Sequence, residues 1–491
     1  MKVICKLTVD NVTITPDGVE RLSMVINGKL DGDVIEAWWG DIVEVQTTNN
    51  LQSNGSSIHF HGLRQLNTNE MDGVPSITQC PIPGDGGSLT QTFVATQYGH
   101  TWIHSHYSIQ AWEGVYAPFI IHGPTTWPYD YDLGALMVAD WLHTPVFEQF
   151  EYVERTGSPN QDNILINGVG IYSPTNSAPF TGQRAQLYFE PGKKHRIQLI
   201  CNALDSSFAF SIDNHILTVI GMDFVPIHPY TTTVLKIGIG QRYDIIVEAN
   251  QAVSDYWLRV DPLDFSVAPG QAPPCGASNE MVNNTMAIVH YIGSPTLDAT
   301  SSGIAVPETS PYPHNTVCED EPYDLLVPWV PKLVGSVTDT VSKDLVITQN
   351  ASTQIYRWYL SGSTFQVSYS QPTLLSIVQN STDYAGPLAI EVTEPNTWTY
   401  VIIETPVALS HPIHLHGHDF YVLSAGEGSY TNQSLLLANP PRRDVATLPI
   451  GGYIVIGFLA DNPGSWLMHC HIVSASFCVS GVSAFRWREV Y

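Results

Sequence analysis

Positive charge is scarce in this chain of 491 residues, which carries 20 Lys and Arg against 46 Asp and Glu, a formal net charge of −26. A polyphosphate partner needs clustered basic side chains to displace its counterions, so no nucleic acid is expected as a partner. An anionic membrane surface is disfavoured on the same ground. Long apolar runs are also lacking. The stretch from Tyr453 to Ala460 is of the longest kind present, far below the ~20 residues of a membrane span. The start, Met1 to Lys6, lacks the apolar segment of a secretory leader, which leaves an intracellular protein or one whose leader has been removed. Seven cysteines are thinly spread.

What is present is apolar and turn-forming. Hydrophobic residues make up 43% of the chain and charged ones 13%, with 37 Gly and 34 Pro, a composition of folded, turn-rich proteins with few long helices. At one domain per ~150 residues the length predicts about three domains. Sequons at Asn11, Asn54, Asn283, Asn350, Asn380 and Asn432 point towards a secreted glycoprotein.

Short alternating apolar segments recur between turn signals, as in Ile42 to Thr47, Tyr243 to Glu248 and Trp398 to Glu404, and read as strands at corresponding places in three units of ~160 residues. Gly99-His-Thr-Trp-Ile-His-Ser-His106 is echoed by Gly464-Ser-Trp-Leu-Met-His-Cys-His471, and His59-Phe-His-Gly62 by His414-Leu-His-Gly417. In the middle third, Phe210 to Asp213 and Tyr256 to Asp261 keep the strand character without the histidines. The pattern predicts an all-β chain of three consecutive sandwich domains, at 1–125, 126–295 and 296–491.

Histidine placement carries the chemistry. Random scatter of 18 His gives fewer than about one His-x-His pair. Five occur: His59/His61, His104/His106, His414/His416, His416/His418 and His469/His471. In a strand, residues two apart share a face at about 6.5–7 Å, so each pair aims two imidazoles into one space. Eight of these nine rings, from the first and last thirds, already exceed the needs of one ion. A multinuclear site between those domains is expected, with His59, His61, His104, His106, His414, His416, His469 and His471 as ligands. Alternation sends the Cys470 thiol to the opposite face from His469 and His471, where His411 is its natural imidazole partner. One tripeptide would thus serve two metal sites.

These motifs resemble the multicopper oxidases, specifically laccases of the ascomycete type. The segments from His59 to Pro81, Trp102 to His106, His411 to His418 and Trp466 to Ile472 carry the match, strengthened by Asn439 to Val445 and Asp461 to Trp466. The resemblance implies three cupredoxin-like Greek-key domains, a mononuclear copper that takes electrons from phenols, and a trinuclear cluster that reduces dioxygen to water. It assigns His59 and His414 to the type 2 copper and the other six rings of the cluster to the type 3 pair. It further implies that Asp72 and Asp444 assist proton delivery or hold the network near the cluster, and that Asp205 receives the phenol proton. Four coppers, a Cys275–Cys318 disulfide, a monomer and secretion are expected by the same likeness. A role in phenolic-metabolite or pigment biosynthesis is compatible with it, as is lignin turnover.

The departure comes after Cys470. The family pattern places a second mononuclear-copper histidine where this chain has Ala475, and no His follows His471. Three readings are open. Cys478 or water replaces the ligand; the mononuclear site is empty, leaving three coppers; or residues 473 to about 480 reflect an error in the deduced gene, since Val473-Ser474 can be encoded by a GTN-AGY resembling an intron donor. The second reading would make the protein a copper-binding homologue without phenol turnover. The resemblance also leads one to expect a partner for Cys80 in a C-terminal tail and a C-terminal plug in the solvent channel, neither of which is read in the sequence up to Tyr491.

Overall fold

The computed structural model describes residues 1–156, 160–175, 179–263, 275, 279–281, 284–294, 307–381, 388–472 and 482–483. Ala475 and Cys478 lie outside them.

One ladder is built three times. A long first strand pairs in parallel with a later one: Lys2–Ile14 with Ile42–Asn49, Tyr131–Trp141 with Lys194–Cys201, and Val337–Gln349 with Trp398–Glu404. Each of those partners pairs antiparallel with a further strand, Gly87–Val94, Arg242–Glu248 or Gly452–Leu459. The sequence had aligned Tyr243 to Glu248 with Ile42 to Thr47. The ladders correct this, placing Lys194–Cys201 at that position and Arg242–Glu248 one strand further on. Both strands share one alternating apolar pattern, so periodicity alone does not distinguish them.

A second sheet packs on each ladder. It holds one further antiparallel pair in each unit: His59–Phe60, at the sheet's edge, with Gly99–His104, Phe208–Ile212 with Asp255–Pro262, and His411–Leu415 with Trp466–Cys470. Burial follows the pleat: in Ile42–Asn49, Val43, Val45, Thr47 and Asn49 face the core while Ile42 is exposed. The first unit has its own apolar core, and those of the second and third are continuous. Cys275 and Cys318 form a disulfide. No helix among the described residues is long and apolar enough to cross a membrane.

The first and third units meet along a polar seam. Asn69 exchanges two bonds with the backbone of Ser465, at 2.8 and 2.9 Å, and Asn462 donates to the carbonyls of Arg64 and Gly417. Arg64 is ion-paired with Asp461. The seam brings the histidine-bearing strands of the two outer units together.

Candidate metal centre

Eight imidazoles meet at that seam. Strand register sets His59 opposite His104 and His414 opposite His469, with ring centroids 5.3 and 5.6 Å apart. The second member of each pair differs from the sequence expectation. His61, His106, His416 and His471 each lie just beyond the end of the strand that holds their partner. Freed from the pleat, the rings of each pair stand 4.7 to 6.0 Å apart and turn towards different neighbours. Ligand atoms converge within 4.8 Å in His59/His61/His414, in His61/His104/His471, in His106/His416/His469 and in His59/Asp72/His416. Strand ends are therefore what divides the pairs between separate positions. His418, also part of a His-x-His pair, turns away and bonds the His416 carbonyl at 3.2 Å.

Hydrogen bonds on the far side of the rings fix their tautomers. His59 Nδ1 donates to the Asp72 carbonyl at 2.8 Å, His414 Nδ1 to the Asp444 carbonyl at 2.7 Å, and His104 Nδ1 to the Ser105 carbonyl at 3.0 Å. His416 Nδ1 donates to Asp72 Oδ2 at 3.0 Å and His469 Nδ1 to the Cys470 carbonyl at 2.9 Å. Every Nε2 of these five rings is then an unprotonated lone pair. Those of His59, His104 and His414 have no hydrogen-bond partner, although buried. Those of His416 and His469 face each other at 3.2 Å. Buried lone pairs aimed at a shared space are expensive without a cation. Burial, with the neighbouring rings, also holds His61, His104, His106, His414, His416 and His471 well below the ordinary imidazole pKa. Neutral nitrogen donors in this number fit copper.

Across the sheet, the register that pairs Ile413 with Cys470 puts the thiol on the face shared by His411. Cys470 Sγ lies 3.8 Å from His411 Nδ1, and Trp358 stands edge-on to His411 at 4.6 Å. Burial lowers His411 to about 3 and raises the metal-free Cys470 thiol to about 12. Asp205 comes from the middle unit and contributes to that rise. Its turn is held by Asp140, which accepts the Leu204 and Asp205 amides at 2.5 and 2.8 Å, and by Trp112, which donates to the Ala203 carbonyl at 3.2 Å.

Three contributors escaped the sequence reading. Trp102, fully buried, stacks on His104 at 4.2 Å and on His61 at 5.3 Å. Asp140 orients the Asp205 turn. Arg242 grips Asp444 from the middle unit. Asp140 and Arg242 had a signal, a charged residue in an apolar strand, where burial requires a partner, and Trp102 stood in the repeated motif without a role assigned to it. A cavity of about 230 Å³ reaches His104, His106, His469 and His471 from a wall that includes Trp112, Phe150, Phe365 and Val367.

Multicopper oxidase family models match residues 8–126, 133–294 and 347–477. Laccase-2 of Botryotinia fuckeliana is 45% identical over 482 residues, covering 95% of this chain and 79% of its own. The laccase of Cryphonectria parasitica is 41% identical, with 93% and 77% covered. The crystal structure of the laccase from Botrytis aclada superposes with a TM-score of 0.89 at 40% identity, covering 97% of this chain and 86% of that one. The chain belongs to the multicopper oxidase family. Within it, this is a copper-binding oxidoreductase of the ascomycete laccase type, acting on phenols with dioxygen as acceptor, and a homologue without turnover is not favoured.

Proposed function

We propose that four coppers occupy the chain, one at Cys470 and His411 and three in the histidine basin. His59 and His414 hold the type 2 ion, His61, His104 and His471 one type 3 ion, and His106, His416 and His469 the other. Convergence of the two triads within 4.8 Å is the observation that carries this reading. Bound copper supplies one-electron oxidation at the thiolate site and dioxygen reduction in the basin.

The protein's own groups do the rest. Cys470 is joined by peptide bonds to His469 and His471, so the chain itself would form a covalent link between a copper held at the thiolate and both type 3 positions. Asp205 takes the proton a phenol loses as it is oxidised. Asp72 and Asp444 fix the tautomers of His416 and His414 and hold protons near the site where water forms. The apolar wall of the cavity admits dioxygen to the basin while excluding most solvent. Domain boundaries near 125 and 295, secretion and a monomeric state complete the reading, supported by the three family-model matches and by the kind of relatives found.

Copper per chain and the visible spectrum of the copper-loaded protein test it. Four coppers with an intense Cu(II)–thiolate band are expected. Three coppers without that band would show that the Ala475 departure disables the mononuclear site. Sequencing the transcript through codons 473–480 separates a genuine departure from a retained intron.

A further inference from the structure

The middle unit supplies no ring to the basin, yet it forms part of the wall. Gly240 lies so close to His61 that a β-carbon there would meet the ring's Cε1 at 3.0 Å. Two residues on, Arg242 is fully buried and lays a pair of bonds, 2.5 and 2.6 Å, on the Asp444 carboxylate. It is anchored from behind as well. Its Nη1 donates to the Gly240 carbonyl at 3.1 Å and lies 3.4 Å from Asp223, which Arg443 clamps at 2.8 Å. Gly62, from the first unit, closes the top: a β-carbon there would sit 2.2 Å from Asp444 Oδ2 and 2.5 Å from Arg242 Nη2. All three units thus press on one carboxylate.

That carboxylate touches the basin twice. Its Oδ1 lies 3.3 Å from His61 Nε2, and the backbone carbonyl of the same residue receives the His414 Nδ1 proton. Two guanidiniums and two carboxylates buried together are costly, and apolar residues would glue the units as well or better. A charge beside His61 explains what apolar packing cannot. No hydrogen bond joins the two, and neither nitrogen of His61 has a hydrogen-bond partner; the negative charge 3.3 Å from Nε2 nevertheless favours the proton on that nitrogen and leaves Nδ1 as the lone pair, provided the carboxylate cannot swing away.

We propose that Arg242 is a positioning residue of the metal centre. By fixing the Asp444 carboxylate with a two-pronged grip, it sets the orientation and tautomer of His61, so that the middle unit participates in copper binding without a ligand of its own. The inference rests on the ligand assignment above.

Arg242→Lys keeps the charge and loses the fork, and Asp223→Asn loosens Arg242 from behind without touching Asp444. For the parent and both variants, copper per chain after dialysis against a weak chelator, the paramagnetic resonance spectrum, and the unfolding midpoint of the metal-free protein are measured. Arg242→Lys should unfold near the parent temperature but hold basin copper roughly 10- to 100-fold more weakly, with an altered resonance. Asp223→Asn should shift the same signals less. Any thiolate band of the parent should persist in both. Full copper retention with parental spectra in both variants would overturn the proposal. If Arg242→Lys does not fold, Asp223→Asn decides alone, an unchanged resonance overturning it. A parent that retains no basin copper would instead overturn the ligand assignment.

Discussion

The strand Trp466–Cys470 separates two unequal sites. On one face, eight imidazoles meet, and five of them have their proton committed to a carbonyl or carboxylate behind the ring. On the other, a thiol and one imidazole stand 3.8 Å apart among apolar neighbours, and burial pushes the thiol towards its neutral form. The first site is organised before metal arrives. The second gains its anionic ligand only when a metal displaces the proton. Preorganisation here is a matter of hydrogen bonds to carbonyls, which a strand end exposes and a strand interior does not.

The strongest way to break the contrast is Cys470→Ser. Phenol oxidation should fall by more than ~100-fold and any thiolate band disappear, while copper in the basin stays, as counted by metal analysis. Loss of all copper would mean that the two faces are not independent. Asp72→Asn attacks the other face, since Oδ2 fixes His416. Basin copper should be held about 10- to 100-fold more weakly, with the thiolate band intact.

Acid should sharpen the difference between metal-free and loaded protein. The folded metal-free chain keeps His411 near 3 and His469 near 4, below the ~6.5 of an unfolded imidazole. Between those limits the unfolded chain binds more protons, so stability is lost as pH falls below about 6.5. Thermal unfolding of the metal-free protein should show a midpoint dropping from pH 6.5 to 4. Copper-loaded protein should resist until protons displace the metal. The smallest effect is expected from Trp358→Phe, which keeps an aromatic edge on His411. It should cost about 1 kcal/mol or less by denaturant unfolding and leave basin copper unchanged.

The sequence made the basin legible because His-x-His is rare and local. His59, His104, His414 and His469 announce themselves. What could not be read was the direction of each second ring, since the strand ends at or near the first histidine and periodicity has no term for that. His418 shows the same limit: it has the spacing of a ligand and faces a carbonyl. Strand identity suffered where two neighbouring strands of one ladder share a pattern, hence the misplacement of Tyr243 to Glu248. The middle unit's contribution was least visible. Asp223 looks like an ordinary turn acid until the fold closes over it, and Asp140, an acid in an apolar strand, signals a buried partner without saying which.

Asn69 and Asn462, which stitch the first unit to the third, act on time as well as on geometry. The ligand triads draw rings from both units, so an ion held by one of them can leave only if those bonds part or its rings let go singly. The lifetime of the seam then sets a floor on the residence of copper, and a chelator should empty the basin at a rate governed by the opening of the protein more than by its own concentration.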